Sequence, residues 1–356
     1  MGLLDKYEDG LWHIESEIGK GSFGQVYLIS KVEYGFKSYS ALKVIPVPQS
    51  NSEIGQMQSE GMDDASISEY IGEMVHDIMH EIRFVHQFRG TSNIVCYEDY
   101  RVIEKEDGPG VNILIRMEVL ESVEKIMVSK NLSEPDAIKL GIDICKALEL
   151  LAKNKTIHRD IKPDNILLSK HGDYKLADFG IAREIDRTTS GMSKKGTYNY
   201  MAPEVFKGLD YGASVDLYSL GMVLYRIVNN NRLPFLPVHS PRITLKDRED
   251  SLGKRMKGEP LPLPVNASPE LSAVILKACA YDRMQRYQSA TEMRAALEDL
   301  AAPKSSKTIT KLSEQELISE ADYEDTVLDE DVAEGLSEKR EDSEASPSEE
   351  NKGNGP

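Results

Sequence analysis

The chain is predicted to be an α+β protein of two unequal lobes: a small β-rich lobe with one main helix, then a larger, mostly helical lobe. Three observations lead there. Strand-like runs dominate to about residue 119, the pattern turns helical after residue 120, and beyond Ala302 the sequence turns polar and acidic. At 356 residues the chain exceeds one ordinary domain, which suits two packed lobes (about 11–117 and 121–302) followed by a tail, 303–356.

Residues from about 12 to 45 read as strands: Gln25 to Ser30 is largely apolar and β-prone, and the run from Tyr39 to Val47 ends at Pro46 and Pro48. From Pro46 to about Asp64 the sequence is polar without a period, and a loop is expected. Ser66 or Ser68 then offers the cap of a helix whose stripe is Ile71, Met74, Ile78, Ile82 and Val85, with Glu81 beside that stripe. Two more strand-like runs follow, Ile94–Arg101 and Val111–Val119, with Asp107-Gly108-Pro109-Gly110 as the turn between them.

After residue 120 the pattern becomes helical. Ser133-Glu134-Pro135-Asp136 supplies an N-cap, a proline in the first turn and an acid three residues past the cap, and Ile138, Ile142, Cys145, Leu148 and Ala152 mark one face of a long helix. Further helices are expected over 214–229, 270–280 and 289–300, with the proline-rich stretch 231–269 reading as loops and short helices.

Hydrophobic content of 40% and charged content of 29% are ordinary for a globular protein. The net charge of −17 is uneven: Pro303–Pro356 holds 16 acidic and six basic residues, a net of −10, which leaves −7 for residues 1–302. That balance argues against a nucleic-acid surface. The tail has one aromatic, Tyr323, and too little apolar surface to order itself, so disorder is expected. Cys96, Cys145 and Cys279 form no C-x-x-C pair and sit among apolar neighbours, which fits inert core thiols in a reducing compartment. No run of 18 apolar residues predicts a membrane span, and the start, Met1-Gly2-Leu3-Leu4-Asp5-Lys6, lacks both a signal-peptide core and the residue a myristoylation motif wants. A cytoplasmic protein is expected; no pattern specifies an oligomeric state.

The chemistry concentrates in four places. Gly19-Lys20-Gly21-Ser22-Phe23-Gly24-Gln25-Val26 fits G-x-G-x-x-G-x-V, in which glycines let backbone N–H groups approach phosphate oxygens. It lies between two predicted strands rather than before a helix, which disfavours a dinucleotide-binding βαβ unit. Lys43 stands alone in the apolar strand Ala41-Leu42-Lys43-Val44; it is expected to serve as a cation on the α- and β-phosphates, held by Glu81, with Glu73 the second choice. His158-Arg159-Asp160-Ile161-Lys162-Pro163-Asp164-Asn165 is followed thirteen residues after Asn165 by Asp178-Phe179-Gly180. Asp160 is placed to accept the proton of a hydroxyl, Lys162 to reach a transferring phosphoryl, and Asn165 and Asp178 to give Mg²⁺ hard oxygen ligands. Phosphoryl transfer needs that set, because the charge on the γ-phosphoryl oxygens must be neutralised while the attacking hydroxyl is aligned.

Together with Ala202-Pro203-Glu204, these motifs resemble the eukaryotic-type serine/threonine protein kinase family over residues 11–302, in its motif order. Asp216-Leu217-Tyr218-Ser219-Leu220-Gly221 and Gln285-Arg286-Tyr287 are similar to the bacterial branch, with Arg286 the expected partner of Glu204. The resemblance implies the bilobal protein kinase fold and an ATP-dependent enzyme acting on Ser and Thr hydroxyls of protein substrates, with Mg²⁺ or alternatively Mn²⁺ as metal. It implies that Gly19, Gly21, Ser22, Phe23 and Gly24 cover the phosphates, and that Val26, Ala41 and Leu167 sandwich the adenine. Met117 would guard the pocket behind, and Glu118 to Leu120 would form the hinge. Lys162 and Gly196-Thr197 fit the serine/threonine class, with Thr197 bonding near Asp160. One departure is the 38-residue separation of Lys43 and Glu81, longer than usual because of the insertion after Pro46.

Activation by autophosphorylation at Thr188, Thr189, Ser190 or Ser193 is expected, a phosphate there pairing with Arg159. Glu124 and Asp164 suggest a preference for basic residues N-terminal to the target. A pseudokinase of the same fold would have lost at least one of Lys43, Asp160, Asn165 and Asp178, and all four are present.

Overall fold

In the computed structural model the described residues are 11–21, 24–106, 109–179 and 197–302. The chain divides into two units, Met1–Ala302 and Pro303–Pro356, and the second lies outside the described residues, as do Ser22, Phe23, Gly180 and the four candidate phosphorylation sites.

The N-terminal lobe is built on an antiparallel five-stranded sheet, β1 (His13–Gly21), β2 (Gly24–Glu33), β3 (Phe36–Val47), β4 (Tyr97–Glu104) and β5 (Val111–Met117), in the order β1-β2-β3-β5-β4. Glu33 pairs with Phe36 across a two-residue turn in which Tyr34 and Gly35 both take positive φ, 50° and 79°. Such a turn matches the right-handed twist of the strands it joins. Period-two alternation sorts β3: Leu42 and Val44 pack with Trp12, Ile29 and Leu114 on one face. Ala41, Ile45 and Val47 pack with Ile113, Ile115 and Met117 on the other. Lys43 therefore belongs to the second face, the one that meets helix and cleft, and is buried there.

Two helices follow β3. The insertion after Pro46, expected to be a loop, forms α1 (Asn51–Ser59). Among its described side chains only Ile54 and Met57 are buried, so no apolar stripe marks it, and Ser50, which with Glu53 fits an S-x-x-E cap pattern, makes no side-chain cap bond. Helix α2 (Asp64–His86) buries Ile67, Ile71, Met74, Ile78, Ile82 and Val85 as expected. Its cap is Asp63, not Ser66 or Ser68: the Asp63 carboxylate accepts from the Ser66 N–H at 2.8 Å, the better acceptor winning the N-terminus.

The run expected as a strand from Ile94 joins the sheet only at Tyr97. Ile94 instead bridges in parallel to Leu176 of the other lobe; Val95 N–H donates to the Leu176 carbonyl at 3.0 Å and Leu176 N–H to that of Asn93 at 2.9 Å.

The C-terminal lobe is mostly helical: α3 (Val123–Ser129), α4 (Glu134–Lys153), α5 (Pro203–Phe206), α6 (Ser214–Ile227), α7 (Leu245–Lys257), α8 (Pro269–Ala278) and α9 (Ala290–Ala301). Ser133 and Asp136 close the expected capping box on α4. Helix α6 is apolar nearly all round and buried, the axis about which the lobe packs. Within 231–269, α7 is longer than the short helices expected; Thr244 and Asp247 form its capping box and Gly258, at φ 80°, ends it. A small antiparallel sheet joins β6 (Glu121–Ser122) to β7 (Ile166–Leu168) and β8 (Tyr174–Leu176), the two strands that lie between Asn165 and Asp178. Glu204 and Arg286 form the expected pair, bidentate at 2.7 and 2.8 Å, with Arg286 fully buried.

Candidate active site

Strand ends and loops of both lobes enclose a cavity of about 440 Å³. Of the residues singled out in the sequence, Gly19, Val26, Ala41, Lys43, Met117, Glu118 and Leu120 line it from the N-terminal side, and Lys162, Asn165, Leu167 and Asp178 from the C-terminal side. Gly21 pairs with Gly24 where β1 turns into β2. A Cβ on Gly24 would stand 1.9 Å from the Val44 carbonyl oxygen, so only glycine permits this approach.

The Lys43 ammonium donates to the Asp178 carboxylate, an ion pair between the lobes. Burial works against the charge on Lys43, yet Asp178 and Glu81 outweigh it and its pKa ends above the ordinary value. Burial likewise opposes ionisation of Asp178, and Lys43 more than offsets it, holding that carboxyl below its usual range. Glu81 accepts from the Phe179 N–H at 3.3 Å, so α2 touches both Lys43 electrostatically and the Asp178 segment by hydrogen bond. Asp178 itself takes φ 55°, a left-handed conformation unusual for a residue with a side chain.

Asp160 lies directly behind the lining. Its Oδ2 accepts from Lys162 Nζ at 3.0 Å and from Asn165 Nδ2 at 3.0 Å, and Asn165 Nδ2 also donates to the Asp160 carbonyl at 2.9 Å. The Ala177 N–H donates to the Asn165 backbone carbonyl at 2.9 Å, which holds the Asp178 segment against Asn165.

The loop that carries Asp160 is fixed from below. Asp216, buried on α6, accepts from the His158 N–H at 2.7 Å and the Arg159 N–H at 2.8 Å, which stabilises Arg159 at φ 66°. His158 is fully buried; its Nε2 donates to the Ala177 carbonyl at 3.0 Å while Nδ1 accepts from the Asp160 N–H at 3.3 Å, the neutral tautomer. Thr197 begins a 3-10 turn, Thr197–Asn199.

Several lining residues escaped the sequence reading. Ile18 and Tyr97 complete the N-terminal wall, and Lys125, from α3, donates its ammonium to the Ile18 carbonyl across the cleft mouth. Their partners lie tens of residues away, and no local pattern announces them. The Glu118 carboxylate is engaged by Lys175 Nζ at 2.7 Å and by the Cys96 N–H at 3.0 Å. Cys145 and Cys279 are buried as expected, whereas Cys96 is partly exposed. No helix among the described residues is long and apolar enough to cross a membrane.

The chain is 37% identical over 182 residues to serine/threonine-protein kinase PknB of Mycolicibacterium smegmatis, covering 49% of this chain and 28% of that protein. It is 36% identical over 193 residues to PknB of Mycobacterium tuberculosis, covering 52% and 30%. It is 26% identical over 329 residues to a probable PknB of Lactococcus lactis, covering 89% and 45%. These matches span under half the length of the relatives. The protein kinase domain family matches residues 12–297, both lobes and the cleft between them, and the chain belongs to that family.

Proposed function

We propose that the chain is an ATP-dependent serine/threonine protein kinase that moves the γ-phosphoryl group of ATP to Ser and Thr hydroxyls of protein substrates. The observation that carries this reading is the convergence of Lys43, Lys162, Asn165 and Asp178 on one cavity, with Asp160 bonded to Lys162 and Asn165 behind that lining. Val26, Ala41 and Leu167 offer an apolar slot for a purine, with Met117 behind it and the backbone from Glu118 to Leu120 along its edge. Gly19, Gly21, Ser22, Phe23 and Gly24 would cover the phosphates, and the Lys43 ammonium supplies positive charge beside them.

Asp160 accepts the proton of the incoming hydroxyl and orients it, and Lys162 balances charge on the transferring group. On this reading Thr197 would hydrogen-bond near Asp160 and Lys162; its side chain lies outside the described residues. The oxygen donors of Asn165 and Asp178 are hard ligands and fit Mg²⁺, with Mn²⁺ the alternative; two protein donors suffice because phosphates and water complete such a shell. When bound, the metal would neutralise phosphate charge. Activation by phosphorylation at Thr188, Thr189, Ser190 or Ser193 and a cytoplasmic location belong to the same reading.

The test is a radiolabelled ATP assay with Mg²⁺ and a generic protein substrate, comparing wild type with Asp160→Asn. Label should appear on Ser and Thr in the wild type and fall by at least ~10²-fold in the variant, the lower range of a general-base contribution. Equal labelling by both proteins refutes the assignment.

A further inference from the structure

Glu124, in the first turn of α3, lines the cavity beside Lys162 and Asp164. By residue type alone, Glu124 and Asp164 form an acidic wall that should select a basic residue in the acceptor peptide. Arg226 changes that. It lies near the end of α6, 102 positions along the chain, and clamps Glu124 with two parallel bonds: one guanidinium nitrogen at 2.6 Å from Oε2, the other at 2.9 Å from Oε1. The first nitrogen also donates to the Tyr200 hydroxyl at 2.6 Å.

A fork-to-fork pair of this kind occupies both carboxylate oxygens and fixes their direction. Burial opposes the charge on Arg226, but its bonds to Glu124 and Tyr200 hold it protonated. Burial also raises the pKa of Asp164, assisted by Glu124 and opposed by Lys162 and Arg226. Beside Glu124 and Asp164 the cavity lining carries Lys125 and Lys162, and Arg226 adds a third cation bonded directly to Glu124.

We infer that Arg226 sets acceptor specificity: by holding both oxygens of Glu124 it neutralises the cleft wall, and the enzyme takes peptides without a basic residue N-terminal to the target hydroxyl. This rests on the protein kinase reading and concerns which peptides are accepted, not whether phosphate moves. A peptide arginine approaching Glu124 would meet the Arg226 guanidinium already bonded to both oxygens, and taking its place would exchange one ion pair for another and strand Arg226 beside Tyr200. Arg226 is a positioning residue that acts through Glu124.

The experiment compares full-length wild type, Arg226→Gln, Arg226→Lys, Glu124→Gln and the Gln/Gln double variant on peptides with Arg or Ala scanned over positions N-terminal to the acceptor. The readout is the ratio of kcat/KM on Arg peptides to that on Ala peptides, which simple destabilisation does not move. Wild type should stay within about twofold of unity, and Arg226→Gln should raise the ratio at least about tenfold, chiefly through KM. The double variant should return to the wild-type ratio. Arg226→Lys, keeping charge but losing the fork, should fall between and carries the test if Arg226→Gln fails to fold.

A wild type that already favours Arg tenfold overturns the inference. So does an unchanged ratio in both Arg226 variants, or a ratio that rises equally when Glu124 is absent. Failure of every protein, wild type included, to label any peptide overturns the kinase reading itself.

Discussion

Removing either partner of the Glu204–Arg286 pair should cripple the C-terminal lobe. The pair is bidentate at 2.7 and 2.8 Å, Arg286 is fully buried and Glu204 nearly so. Arg286 also donates to the Ala280 carbonyl at 2.7 Å and the Tyr281 carbonyl at 3.2 Å, and its guanidinium carbon stands 4.8 Å from the Tyr218 ring centroid. Breaking a buried pair by deleting one partner costs about 3–5 kcal/mol, because the surviving charge stays in a low-dielectric site. Glu204→Gln, which keeps the shape and one acceptor, belongs at the low end. Arg286→Met belongs at the high end, since it orphans the carboxylate together with the two carbonyls. At about 2–4 °C per kcal/mol for a domain of this size, melting should fall by ~6–20 °C. The double variant should lose ~0.5–3 kcal/mol less than the sum of the singles, the coupling expected of groups in contact. Urea and thermal melts of the three variants provide the check. Single losses below about 1 kcal/mol, or strict additivity, would refute the claim that this pair anchors α5.

Three further outcomes follow from the same geometry. Burial pushes Asp216 up to about 6, against the lowering effect of the His158 and Arg159 N–H bonds. Between its unfolded value near 3.8 and about 6 the folded protein keeps a proton that the unfolded chain releases. This group's contribution to stability should therefore decline as pH rises through that window and level off above it. Wild type minus Asp216→Asn in urea melts from pH 4 to 8 should trace a change of the order of 3 kcal/mol, and a difference flat across pH refutes it. Gly24→Ala should destabilise the N-terminal sheet by ~1–3 kcal/mol and weaken nucleotide binding measured by fluorescence titration, because its methyl would strike the Val44 carbonyl; unchanged binding and melting contradict the fit. Burial raises the thiol pKa of Cys145 and Cys279, so an aromatic disulfide reagent should modify at most Cys96 in the native protein and all three after unfolding. Two or more thiols reacting at once in the native state would sink that reading.

Sequence pattern sufficed where a segment buries a continuous stripe or carries a side-chain signal of its own. The α2 stripe, the Ser133–Asp136 box and the lone lysine in an apolar strand all emerged in place. It failed where burial is sparse. Helix α1 hides only two apolar side chains, and α7 only Ser251, Arg255 and Met256, so neither shows a helical period, although the Thr244–Asp247 box of α7 was available as a signal. Strands β6 to β8 are two or three residues each, too short for alternation to register. The clamp of Arg226 on Glu124 was invisible for another reason: residue type fixes what a carboxylate can attract, while the fold decides what reaches it first.

The bridge between Asn93–Val95 and Leu176 ties the sheet-bearing lobe to β8, and Asp178 comes only two residues after that knot. In the proposed kinase, a displacement of the sheet-bearing lobe would reach the Asp178 carboxylate through these two backbone hydrogen bonds, so the state of the crevice and the placing of a candidate metal ligand would be coupled.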